Sequence, residues 1–459
     1  MSPTPSGSTA CARRASADAS SGAGPDVSQT LPARRRAALG FILVTAVLDV
    51  LAIGIVIPVL PALIESFAGS NAQAGLINGV FLAMFAVMQF FCSPVIGSLS
   101  DRYGRRPVLL ISSAGLAADY VLMAMAPNLW WLALGRLIAG VTAASFGTIS
   151  AYMADITLPE QRARAYGLVG AAFSGGFVAG PLLGGVLGEV SPRAPFWVAG
   201  ALGALSFIYG ACVLPESLPP ERRMAFAWRR ASPRGALALL GRSHELSVLA
   251  IVHFLLHFAH YVFATIFVLY AAERYGWHAW EVGVVFGVFG VLDMLVQGLL
   301  VERAVKRFGE RGTLAIGLFG GVIGVAGMGL ASTGELFWLA MLPNALWGLA
   351  MPTLQSLMTR RVTESEQGQL QGASASVASI AGMLAPMFFG AVYSVSVGDR
   401  PLLPTPGAPL LIASGVLLLA AVLAAMVLRG DADGIEPGEA PGQAPARAEE
   451  DPQGTGSAS

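Results

Sequence analysis

Residues 97–106 read Gly97-Ser98-Leu99-Ser100-Asp101-Arg102-Tyr103-Gly104-Arg105-Arg106, with four charges inside six residues. On both sides the chain turns apolar, over roughly 74–98 before and 107–126 after. Each run reaches the roughly 20 residues that a helix needs to cross hydrocarbon. A short charged loop with glycines between two such runs is a turn at a membrane surface. The same reading extended outward gives twelve apolar stretches. They run roughly 37–64, 74–98, 107–126, 129–152, 163–188 and 194–214, then 246–271, 281–302, 313–332, 335–356, 369–395 and 405–428. The stretches are continuously apolar and too long for β-barrel strands. The expected fold is an all-α membrane protein of twelve transmembrane helices in two six-helix halves.

Composition agrees. Of 459 residues, 12% are charged and 55% hydrophobic, and mean hydropathy is +0.65. A soluble domain carries about 25% charged residues. So apolar a chain is neither disordered nor a soluble enzyme, since too little polar surface remains to coat it. The 28 basic residues balance 28 acidic ones, which argues against a nucleic-acid partner. Cys11, Cys92 and Cys212 are too few and scattered for a disulfide framework or a zinc site. No HExxH helix, nucleophile elbow or GxxxxGK[ST] loop occurs. Neither an enzyme, a cofactor nor ATP-driven pumping is expected.

Basic residues set the orientation. Arg102, Arg105, Arg106, Arg162, Arg164, six linker arginines, Arg303, Lys306, Arg307, Arg311, Arg360 and Arg361 fall on one side, against Arg193, Arg274 and Arg400 on the other. This places both termini and the linker in the cytoplasm of a multi-pass inner-membrane protein. The expected organisation is a disordered tail over 1–36, a half over 37–214, a linker over 215–245 with a short surface helix around 224–241, a half over 246–428 and a disordered tail over 429–459. Two such halves indicate a duplicated transporter. Gly298, Glu302, Arg303, Gly309 and Arg311 echo the first loop at the same place in the second half, in a looser arrangement.

A charge inside the bilayer is costly and usually functional. Asp49 lies in the first span, Asp119 in the third, Arg136 in the fourth and Asp293 in the eighth. Each reads either as part of a structural ion pair or as a proton-coupling group. A carboxylate can exchange a proton, whereas arginine does not release its own. The aspartates are therefore the expected proton carriers, with Arg136 tuning one of them. His253, His257 and His260 share a face of the seventh span. Three readings stay open there: a polar cavity face, proton or substrate handling, and a metal site. Gln89 and Gln297 bond either a substrate or another helix. Along the fifth span, Gly176, Gly180, Pro181, Gly184 and Gly185 allow close helix approach, and the proline bends the helix. That pattern reads as simple packing or as a kinked helix between moving halves.

These motifs resemble the major facilitator superfamily. Gly97-x-Leu99-x-Asp101-Arg102-x-Gly104-Arg105-Arg106 is similar to its signature after the second helix. Gly180-Pro181-x-x-Gly184-Gly185 resembles the fifth-helix motif of drug/proton antiporters, and Leu134-Gly135-Arg136-Leu137-Ile138-Ala139-Gly140 their fourth-helix arginine motif. Leu48-Asp49-x-x-x-x-Gly54-Ile55-x-x-Pro58-Val59-Leu60-Pro61, Met88-Gln89, Ala118-Asp119-Tyr120, Ala154-Asp155, Ser191 to Phe196 and Gln367 to Gly372 resemble tetracycline/proton antiporters.

The resemblance implies alternating access, with a drug or other amphipathic molecule leaving as a proton enters. It implies that Asp101 and Arg105 bridge to Asp155 in a latch with Gly97, Arg102, Gly104 and Arg106, holding the cytoplasmic ends of the N-terminal helices against the C-terminal half. It implies a cavity lined by Asp49, Gln89, Asp119 and Arg136, with His257, His260 and Gln297 on the C-terminal side. Two positions depart from the pattern. Asp293 stands where the tetracycline exporters carry a histidine, and Gly321 stands at their ninth-helix aspartate. The expectation is thus a proton-coupled exporter, tetracycline-like efflux included, acting as a monomer on a small molecule within the bilayer. A proton symporter importing a metabolite is the alternative.

Overall fold

The structure, a computed structural model, describes residues 33–143, 146–157, 162–224, 238–363, 366–397 and 405–430. Its α-helices are α1 Ala33–Val56, α2 Leu60–Ala68, α3 Asn71–Tyr103, α4 Arg105–Met125, α5 Leu129–Thr142, α6 Phe146–Ile156, α7 Arg162–Val190 and α8 Ala194–Val213. They continue as α9 His244–Tyr275, α10 Ala279–Leu295, α11 Val301–Leu330, α12 Gly334–Ala345, α13 Ala350–Thr359, α14 Gln367–Val397 and α15 Ala408–Gly430. No strand occurs among the described residues. The expected tails over 1–36 and 429–459 fall almost wholly outside the described residues. Most of the expected surface helix at 224–241 does too.

Local chemistry sets the helix ends. Ser70, Asn128, Ser243 and Thr333 each accept a hydrogen bond from a first-turn N–H of α3, α5, α9 and α12. Pro58, between α1 and α2, interrupts the first apolar stretch because it has no N–H to give. Among the described residues, nine helical runs are long and apolar enough to cross a membrane. One of them, Ala279–Leu330, has 52 residues, more than twice the roughly 20 that a crossing needs. Gly309, at φ 70° and ψ 172°, breaks that run.

Helices α1–α8 and α9–α15 meet chiefly along α3 against α14 and α7 against α10. Hydrogen bonds join the two sets at the end farthest from the charged loops. Asn78 Nδ2 donates to Thr265 O at 2.7 Å, Asn71 Nδ2 to Glu273 Oε2 at 2.9 Å, and Trp280 N to Glu189 Oε1 at 3.2 Å. Tyr393 OH donates to Asn71 Oδ1 at 3.3 Å.

The sequence echo becomes sharper in three dimensions. Asp101-Arg102-Tyr103-Gly104-Arg105-Arg106 aligns at a constant offset with Lys306-Arg307-Phe308-Gly309-Glu310-Arg311. Gly104 and Gly309 both hold positive φ, 104° and 70°, a region that strains residues with a Cβ. The same offset pairs Asp155 with Arg360. Arg105 bonds Asp155 at 3.3 Å, and Glu310 bonds Arg360 at 2.7 Å. The ion pair at the second turn is inverted in charge relative to the first, while Arg102 and Arg106 keep their sign at Arg307 and Arg311. Of the five residues in the looser echo, Gly309 and Arg311 are those that match the first loop in kind and position.

Candidate functional site

The buried charges of α1–α8 gather inside the bundle. Asp49 is 6% exposed, Asp119 0% and Arg136 8%. Arg136 Nη2 pairs with Asp119 Oδ2 at 3.4 Å and lies 2.7 Å from the Met123 sulfur. Gly135 makes the pairing possible, because a Cβ there would sit 2.6 Å from Asp119 Oδ1. From α8, Ser206 Oγ donates to Asp49 Oδ1 at 3.4 Å. The Tyr120 hydroxyl lies within electrostatic reach of Asp119, Arg136 and Asp49, which links the two aspartates. The single long contact leaves Asp119 Oδ1 and Arg136 Nε buried without a hydrogen-bond partner. A buried polar atom left so costs about 1–3 kcal/mol, so the pair keeps unused capacity for a proton or a polar ligand. Gln89 is half-buried on α3.

The signature turn is held from three sides. Arg105 bonds Asp101 at 2.6 Å, Ser100 Oγ at 2.6 Å and Asp155. Arg106 Nη2 donates to Ala211 O at 2.9 Å. Arg102 lies over the Tyr103 ring. Glu216, just past α8, accepts from the backbone N–H groups of Arg105 at 2.8 Å and Arg106 at 3.3 Å. A carboxylate at the first turn of α4 is favoured by the helix dipole. Ser217 Oγ donates to Asp155 at 3.1 Å, and Tyr152 OH to Pro215 O at 2.9 Å. In this state the partners of Arg105 belong to α3, α6 and the start of the linker. Sequence reasoning missed Glu216, whose only signal was a lone acid at the head of an arginine-rich segment.

On the other side, the histidine stripe divides. His257 Nδ1 lies 3.0 Å from His253 O, and their rings sit 4.5 Å apart. His260 turns its ring to Trp347, 5.6 Å away and edge-on. Gln297 Nε2 donates to Asp293 Oδ2 at 2.7 Å. Among the described residues, no group of three His, Cys, Asp or Glu is arranged to hold a metal ion. The α7 glycines serve two neighbours. Gly176, Gly180 and Gly184 close on α1, while Gly185 faces Gly283 of α10, where a Cβ would lie 2.6 Å from Ala279 O. Pro181 sits inside α7 between these contacts.

Comparison with known proteins bears on the family and the fold. A family model described as Major Facilitator Superfamily matches residues 42–386. The tetracycline resistance protein, class C, of Escherichia coli is 39% identical over 359 residues, covering 78% of this chain and 90% of that one. The human organic anion transporter MFSD10 superposes with a TM-score of 0.63 at 25% identity, over 85% of this chain and 99% of that one. A bacterial homolog of the human lysosomal transporter Spinster gives 0.72 at 17% identity, over 88% and 99%. Helical throughout the described residues, and matched over most of its spans, the chain belongs to the Major Facilitator Superfamily and is a membrane transporter, not an enzyme.

Proposed function

We propose that this transporter exports a tetracycline-class drug or a related amphipathic molecule across the inner membrane in exchange for protons. The observation that carries the reading is the Asp49–Asp119–Arg136 cluster, buried inside the apolar bundle with unsatisfied polar atoms. Carboxylates so placed can bind and release protons, and a fixed cation beside them makes that exchange sensitive to its surroundings. Six relatives are tetracycline resistance proteins at 32–39% identity, which favours export over import of a metabolite.

In this reading the chain crosses the bilayer twelve times. Gly309 divides the 52-residue run into two crossings, and α7 and α12–α13 supply two more. The arginine-rich end is cytoplasmic, as are both termini. The hydrogen bonds that join the two helix sets far from the charged loops support a state closed to the outside. One chain contains both helix sets, so the working unit is a monomer. The signature latch engages the C-terminal helices only when the cytoplasmic end closes.

The test is drug uptake into inverted membrane vesicles carrying a pH gradient. Wild-type vesicles should accumulate tetracycline, and a proton uncoupler should abolish this. Asp49→Asn and Asp293→Asn should each abolish it at unchanged membrane level. Normal coupled transport by both variants would refute the proton-coupling assignment.

A further inference from the structure

We propose that Asp293 and His260 form the proton-exchange centre of the C-terminal helices, with Gln297 and Trp347 as positioning residues. This rests on the proton-driven reading above. It names where the C-terminal half handles its proton.

Two irregular helix segments build the centre. Asp293 lies just before the π-helical turn Val296–Leu300. A π turn carries an extra residue and often marks a functional position. Here it places Gln297 one turn on, where Nε2 donates to Asp293 Oδ2 at 2.7 Å. The other oxygen, Oδ1, faces Gly348, where a Cβ would lie 2.7 Å away. Gly348 belongs to the 3-10 segment Leu346–Leu349 that joins α12 to α13. The preceding residue, Trp347, is buried and meets the His260 ring edge-on at 5.6 Å. Residues 347 and 348 therefore touch the imidazole of α9 and the carboxylate of α10.

The chemistry is complete without another reactant. When Asp293 is protonated the pair is neutral. Relayed through water, the proton leaves the Asp293 O–H bond and forms an N–H bond on His260, which gives a carboxylate and an imidazolium. Phe263 and Trp347 flank the imidazole. Both Asp293 and His260 are exposed, so water reaches the pair. Among the described residues, Asp293 of α10 and His257 of α9 are the titratable groups in electrostatic reach of His260, and the α12–α13 joint presents an indole and a glycine. His260 makes no hydrogen bond to a described residue, and its ring is exposed. It is thus free to exchange a proton with water.

The test reads Trp347 emission in the full-length protein in detergent, without drug or gradient, as wild type minus Trp347→Phe between pH 5 and 8. An imidazolium quenches a neighbouring indole, so the difference signal should follow a single titration. His260→Asn should remove the titration. Asp293→Asn should displace its midpoint by about one pH unit. In proteoliposomes, His260→Asn should cut gradient-driven tetracycline transport by about ten-fold. A flat difference signal, a titration that survives His260→Asn, or a midpoint unmoved by Asp293→Asn would overturn the proposal. The fluorescence needs no drug, so a wild type that ignores tetracycline would refute the substrate reading and leave this result standing.

Discussion

At the scale of single residues, the charges inside apolar spans were the most informative, because a carboxylate in hydrocarbon is costly and usually functional. Asp49, Asp119 and Arg136 stood out from the sequence for that reason. Their arrangement did not, because it depends on Gly135 and Ser206, residues with no charge to mark them. Gly135→Val should press a side chain onto Asp119 Oδ1, at a cost of about 1–3 kcal/mol for overpacking. We expect a lower thermal midpoint in detergent and loss of export. A variant as stable and active as wild type would show that the pair tolerates displacement. Asp49→Glu should retain part of the proton coupling that Asp49→Asn loses, measured as proton release per drug in vesicles.

At the scale of elements, the decisive feature is the turn between α3 and α4. Its glycines and charges were legible as a motif, and so was the Arg105–Asp155 partnership through family resemblance. Its anchoring by Glu216 was not legible, since those hydrogen bonds join residues 111 positions apart. The charge inversion at Glu310 and Arg360 was hidden for a related reason. A motif search looks for like residues, and an ion pair is conserved in geometry when its signs are exchanged. The pairs are partly exposed, so each adds only about 0–1 kcal/mol of stability; their expected role is to bias the conformational equilibrium. Arg105→Ala should cripple transport without loss of protein from the membrane, read by vesicle uptake against immunoblot level. Arg105→Asp combined with Asp155→Arg should recover more activity than either single change. Equal loss in all three would show that the turn needs something other than the ion pair. Glu216→Ala should behave like Arg105→Ala, since it frees the α4 N-terminus.

At the scale of the whole molecule, two helix sets meet along α3 against α14 and α7 against α10. The sequence reads as twelve apolar stretches, whereas nine helical runs among the described residues are long and apolar enough to cross a membrane. Gly309, with non-helical φ and ψ, separates two helical stretches within the 52-residue run. The contact between the sets could not be read from sequence, because glycine spacing along α7 does not say which neighbour each face meets. Gly180 meets α1, and Gly185 meets α10. Gly185→Leu should wedge α7 from α10 and hold the closed end apart, raising thiol labelling of a cysteine placed at Ala279. The central claim is drug export coupled to protons. Its most direct test adds tetracycline to inverted vesicles whose lumen is acidified, with a pH-sensitive dye inside. The account predicts a drug-dependent outflow of protons from wild-type vesicles that Asp49→Asn abolishes. A lumen that stays acid when drug enters, or an outflow that persists in Asp49→Asn, would contradict it.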